Sequence, residues 1–123
     1  MNVLYKLTAK GGFNDISDVE TYFKNDIKEQ SNYFNCNNKL NDFKENDEIY
    51  FIFKKMILAK ASFTGKRKIN DDNDFKYGFG LKEIKYETTN QGIDFSIVGE
   101  FQTMKYVREN TIQSEINKFV ESL

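Results

Sequence analysis

The chain contains no histidine, no proline, no tryptophan and one cysteine, Cys36. Without histidine it lacks the commonest general base and the commonest metal ligand. Ser-His-Asp triads and Cys-His nucleophile pairs are therefore excluded, and one cysteine cannot build a conventional structural zinc site. A single thiol also makes no internal disulfide, and "MNVLYKLTAKGG" lacks the apolar core of a secretory signal. A reducing cytoplasm is the expected setting. No apolar run approaches the 18 or so residues of a membrane span. Walker-type and dinucleotide Gly-rich motifs are missing, so no cofactor is expected.

What is present describes one soluble domain. At 123 residues, with 39% hydrophobic and 30% charged side chains, the chain can bury a modest single core. Eighteen basic and nineteen acidic residues nearly cancel, so only their distribution carries information. Between Lys54 and Lys68 there are six basic residues and no acid. Twelve Phe and seven Tyr supply the bulk that tryptophan does not.

Residues 2–8 alternate as a first strand with Val3, Tyr5 and Leu7 on one face. "KGGFND" breaks it. Ser17 and Glu20 have capping-box spacing, and Val19, Phe23 and Ile27 form the buried stripe of a helix over about 17–29. Residues 31–47 are Asn-rich and read as irregular, pinned to the core by Leu40 and Phe43, with "END" as a turn. "EIYFIFK" places Ile49, Phe51 and Phe53 opposite Tyr50 and Ile52. "MILAKASFTG" sets Ile57, Ala59, Ala61 and Phe63 against Leu58, Lys60 and Ser62. A short "KK" link makes these strands an antiparallel hairpin, and apolar residues on both faces predict a central position. Residues 66–78 read as a polar loop. Strands follow at 79–87 and 93–101, joined by "TTNQG", and Ile112, Ile116, Phe119, Val120 and Leu123 mark a C-terminal helix over 110–123. The expected fold is α+β: a small, twisted, mostly antiparallel barrel of about five strands, flanked by an N-terminal and a C-terminal helix.

This order, with "LNDFKENDEIYFIFKKMILAKASFTGK", resembles the PUA-like superfamily, which includes the EVE, YTH and ASCH domains. Leu40, Phe43, Asn46, Asp47, Ile49 and Phe51 follow that family's pattern into its strand pair, with Asn46 where glycine is usual. "ILAKASFTG" resembles the second strand, and "GGF" (11–13) and "YGFGLKEIKY" are loosely compatible. The resemblance covers the middle third of the chain well and the rest by element order. It implies a single PUA-like domain over 1–123, open to being the first module of a longer protein. It also implies a non-catalytic reader of DNA that takes a modified, for instance methylated, or flipped base into an aromatic pocket. Such modules serve modification-dependent restriction systems, in which a motor and a nuclease are supplied by other domains or subunits. Family members often enclose the base with tryptophan, which this chain lacks.

On this reading Lys10, Lys54, Lys55, Lys60, Lys66, Arg67 and Lys68 hold the nucleic-acid backbone, and Tyr33, Phe34, Tyr50, Tyr77 and Phe79 line the base pocket. Plain alternatives stand beside each assignment. Lysines at strand ends also protect edges, and most phenylalanines in a small domain are core. "AKGGF" is a tight turn or a place where backbone N–H groups meet a ligand. "GFG" is by default a bend in a strand, and Cys36 has no activating neighbour. Two other functions remain open. Asp74 with Glu83-Ile84-Lys85 is loosely similar to the carboxylate pair and lysine of metal-dependent nucleases. Mixed charge and many Asn residues equally suit a protein–protein interaction or inhibitor module.

Overall fold

In the computed structural model of the chain, the structure describes residues 2–71, 74–86 and 102–107. Their order is β1 (Asn2–Lys6), a 3-10 turn (Ala9–Gly11), α1 (Ile16–Thr21), a π-helical turn (Tyr22–Asp26), α2 (Ile27–Glu29), β2 (Tyr33–Cys36), β3 (Glu48–Phe53), β4 (Met56–Ile69), β5 (Tyr77–Tyr86) and β6 (Met104–Val107). The helical pieces run on as one 14-residue helix. The strands form one sheet in the order β2-β5-β4-β3-β1-β6. Only β1 and β3 pair in parallel; the other pairings are antiparallel. The fold is α+β, with a six-stranded mixed sheet curled into a half-barrel.

The 48–63 region forms the expected hairpin, and β3 alternates as predicted. β3 and β4 are joined by Lys54-Lys55 and lie in the middle of the sheet. Ile49, Phe51 and Phe53 enter the main core with Val3, Tyr5, Leu7, Val19, Phe23 and Ile27. The opposite face carries Leu4, Tyr50 and Ile52, also buried. Burying one such side chain contributes roughly 1.5–3 kcal/mol. A bulge between Phe51 and Ile52 corrects the expected facing of β4. Ile57 lies across from Ile52, and Leu58 instead joins the main core. Leu40 and Phe43 are buried, and Asn46 takes a left-handed φ of 71° that asparagine tolerates.

Four further expectations are corrected. The helix cap is Asp15, not Ser17. Asp15 Oδ1 accepts from the Asp18 amide (3.2 Å) and Asp18 Oδ2 from the Asp15 amide (3.2 Å), which starts the helix at Ile16. The Asn-rich 31–47 segment contains β2, because β5 offers it an edge: Tyr33, Phe34, Asn35 and Cys36 pair with Gly80, Phe79, Gly78 and Tyr77. The 66–78 segment is not all loop, since β4 continues to Ile69 against the start of β5. Finally, the described strands form an open sheet with β2 and β6 at its edges, and β6 was not foreseen. The strand over 93–101, its "TTNQG" link and the helix over 110–123 lie outside the described residues.

The curl comes from irregularities in the β4–β5 ladder. Pairing slips between Phe63 and Arg67, with Gly65 at φ 89°, and again between Lys60 and Ser62, where Glu83 takes φ 53°. Extra residues on one strand bend it and increase its twist. The sheet therefore wraps partly around the helix. No described helix is long and apolar enough to cross a membrane.

Candidate functional site

The clearest concavity lies between the helix, the end of β1 and the inner side of β2. It is a cleft of about 620 Å³ walled by Tyr5, Phe13, Tyr22, Phe34 and Phe75. Its aromatic rings meet edge to face: Tyr5–Phe34 at 5.0 Å and 81°, and Phe13–Tyr22 at 5.3 Å and 82°. This geometry lets positive ring edges meet negative faces and holds the walls rigid. Lys6, Lys10, Asp26, Gln30 and Asn37 bring donors and acceptors to the same space.

Local sequence explains the walls. "TAKGG" closes a 3-10 turn capped by Gly12 at φ 94°, a conformation in which a Cβ is strained. That turn carries Lys10 to the cleft. On the helix, Asp18, Tyr22 and Asp26 recur every four residues, each just before a buried Val19, Phe23 or Ile27. They flank the core stripe and so face the cleft. The π-helical turn spans Tyr22–Asp26, a local widening often found at functional sites.

Burial sets the electrostatics of the cleft floor. It pushes the Tyr5 and Tyr22 hydroxyls well above the usual tyrosine range. Tyr5 is hydrogen-bonded to Cys36, and burial raises the Cys36 thiol while its bonds to Asn38 and Tyr5 partly oppose that shift. These groups stay neutral at physiological pH, so the floor offers hydroxyl and thiol hydrogen-bonding rather than charge.

The structure distributes the sequence-predicted residues over several places. Lys10 and Phe34 line the cleft. Lys54 and Lys55 form the β3–β4 turn, both at positive φ (47° and 66°), with Lys54 Nζ 5.3 Å from the centre of the Phe53 ring. Lys60 sits on the opposite sheet face, 3.9 Å from Glu48 Oε2, and Glu48 also accepts from the Tyr50 hydroxyl. Tyr50 is thus buried away from the cleft. The expected single basic patch on the hairpin does not form. β4 is 14 residues long, so roughly 35 Å of strand separates its turn from Lys66.

Arg67 is exposed, yet its head group grips the chain. Its Nη1 donates to Lys39 O (2.9 Å) and its Nη2 to Leu40 O (2.9 Å) and to the Phe43 carbonyl. Its guanidinium lies 5.1 Å from the ring centres of both Phe63 and Phe79. Phe79 is fully buried core. Tyr77 borders a shallow groove of about 450 Å³ beside Ile69, which is 69% exposed. Tyr33 lies on the outer face of β2 beneath Lys68 Nζ, 4.5 Å from its ring centre. Lys66 and Lys68 are exposed.

The carboxylates and lysine of the nuclease alternative are also placed. Asp74 is in the loop before β5, and Glu83 stands at the β5 bulge, accepting a 3.5 Å bond from Ser62 Oγ. Lys85 lies across from Lys60. Among the described residues no three His, Cys, Asp or Glu side chains converge on one metal position.

Sequence reasoning missed Tyr5, Phe13, Tyr22, Asp26 and Cys36 as cleft residues. A usable signal existed in the Asp-Tyr-Asp series at four-residue spacing beside an apolar stripe. Compared with known protein families, curated proteins and solved structures, the chain matches none.

Proposed function

We propose that the protein is a non-catalytic nucleic-acid-binding module of PUA-like character, which admits an unpaired or extruded base, in particular a modified one, into the aromatic cleft. One observation carries this reading. A cleft of about 620 Å³ combines rigid aromatic walls with mixed donors and acceptors at its rim, and its size falls in the range of roughly 300–1,000 Å³ typical of ligand sites. A base needs flat apolar walls and polar partners for its edge. Tyr5, Tyr22 and Phe34 supply the first; Asp26, Gln30 and Asn37 supply the second. Lys10, at the mouth, suits a flanking phosphate. The buried Leu40 and Phe43, the left-handed Asn46 and the central β3–β4 pair support the PUA-like reading. In this proposal the partner is DNA, and a motor or nuclease of a modification-dependent restriction system acts on what the module finds.

The test is a binding panel of plain, methylcytosine-containing and methyladenine-containing oligonucleotides over a salt series. A methylated ligand is expected to bind several-fold tighter than its plain counterpart, with affinity falling as salt rises. Asp26→Asn and Lys10→Ala should each weaken it several-fold while the melting temperature holds. Equal affinity for every oligonucleotide, unchanged in both variants, would overturn the assignment.

A further inference from the structure

The outer face at the β2–β5–β4 corner is built for close approach. Gly78 and Gly80 are buried there, and neither has a positive φ, so close packing of their neighbours rather than a turn requires them. A Cβ on Gly78 would stand 2.8 Å from Lys68 side-chain carbons and 2.9 Å from Asn35 Oδ1. A Cβ on Gly80 would stand 2.5 Å from Thr64 Oγ1 and 3.5 Å from the Lys66 Cβ. The Lys68 stem fills the lane opened by Gly78 and ends with its ammonium over the half-exposed Tyr33 ring, at 4.5 Å. Asn35 is fixed beside it by Asn70 (2.9 Å) and Gln30 (3.3 Å). The result is one partly buried ring presented face-up beneath an ammonium, with two exposed lysines on the same side. Two acids stand close by, Glu45 packed on Gly65 next to Lys66 and Asp71 just past the end of β4, while Glu83 is bonded to Ser62 farther along the ladder.

We propose that this corner is a track for a single-stranded polynucleotide, with a base stacking on Tyr33 and the neighbouring phosphates held by Lys66 and Lys68. A base offers the ring a broader contact than an ammonium does, and every base has a π-face. The displaced Lys68 ammonium gains a phosphate, a charge-assisted partner. Lys66 and Lys68 are two residues apart on one strand, so their stems leave the sheet roughly 7 Å apart on the same face. An acidic peptide would satisfy the lysines but leave the flat ring without a matched partner. The inference rests on the nucleic-acid reading of the cleft, yet its ligand-holding residues Tyr33, Lys66 and Lys68 do not line the cleft, and it is tested apart from it.

Because the chain has no tryptophan, Tyr33→Trp installs a single emitter on the track. Titration with a short oligothymidylate should quench it. Two phosphate contacts predict a slope of log K against log salt of about −1.4. Lys66→Ala or Lys68→Ala, each added to that background, should reduce the slope by about 0.7. Free methylated nucleosides, which address the cleft alone, should leave the emission unchanged. If the oligonucleotide leaves the emission unchanged while nucleosides still bind in an Asp26-dependent way, the track is wrong and the cleft stands. Quenching with a slope untouched by either lysine variant would remove the lysine assignment. Equal quenching by polyglutamate would make the corner a peptide dock and sink the proposal.

Discussion

The two ends of β4 carry similar charge and use it differently. At one end, Lys54 and Lys55 form a two-residue turn in which both residues adopt the left-handed conformation. Asn-Gly or Asp-Gly is the usual solution there, because non-glycine residues are strained at positive φ. At the other end, Arg67 spans three backbone carbonyls of the 39–43 loop and lies over two buried rings. Leu40, whose carbonyl is one of the acceptors, sits at φ 45°, so the guanidinium helps hold a loop that its own backbone does not favour. Positive charge in a sequence is therefore a poor guide to role. The tip tolerates its cations, whereas the far end depends on one.

The sharpest way to break that contrast is Arg67→Ala. Losing hydrogen bonds from a charged donor and two cation–π contacts should cost about 2–4 kcal/mol in urea unfolding. Arg67→Lys should recover less than half, since an ammonium cannot span the fork. A loss no larger than that of Lys54→Ala, expected within about 0.5 kcal/mol, would make Arg67 an ordinary surface charge.

A second comparison concerns the glycines beside that end. Gly80→Ala drives a methyl into Thr64 Oγ1, which is held by its bond to Gly80 O (3.1 Å). It should destabilise by about 1–3 kcal/mol. Gly78→Ala meets mainly the flexible Lys68 stem and should cost less. Equal losses in thermal unfolding would mean that the two sites do not differ in rigidity. At the tip, replacing Lys54-Lys55 by Asn-Gly should raise stability by about 1–2 kcal/mol by relieving left-handed strain. No gain would show that the turn is not limiting.

The smallest effect is at the helix start. Hydrogen bonds from Ser17 and from the Asp18 amide lower the Asp15 pKa. A carboxyl whose folded pKa is depressed stabilises the fold above its unfolded pKa, and that contribution is lost as pH falls through the folded value. Wild type should therefore lose slightly more stability than Asp15→Asn on acidification below pH about 4. Parallel acid profiles would refute a role for the ionised cap. Asp15→Ala should also lower the melting temperature more than Ser17→Ala, because Asp15 and not Ser17 accepts from the helix amide.

Legibility followed the range of the interaction that decides each feature. The 48–63 hairpin, the Val19-Phe23-Ile27 stripe and the anchoring of Leu40 and Phe43 were readable because side-chain period and burial are local properties of the chain. The Ile57/Leu58 exchange was not, because a bulge resets the alternation and arises from fitting one strand to another. β2 was hidden by its asparagines, and the last turns of β4 by their lysines, since polar composition there outweighed the pairing that β5 offered. The cap moved by two residues because Asp15 and Asp18 satisfy each other's amides, and that reciprocal geometry competes with the Ser17–Glu20 spacing.

Composition alone excluded histidine- and disulfide-based chemistry, and periodicity alone placed the central hairpin and the inward face of the helix. Which cations stand together, which tyrosine is core and which is wall, and that a cleft opens beside the Gly-Gly turn were settled only in three dimensions. The reason is physical: period and composition act between neighbours along the chain, whereas charge grouping and concavity depend on strand length, bulges and curl that bring distant residues together.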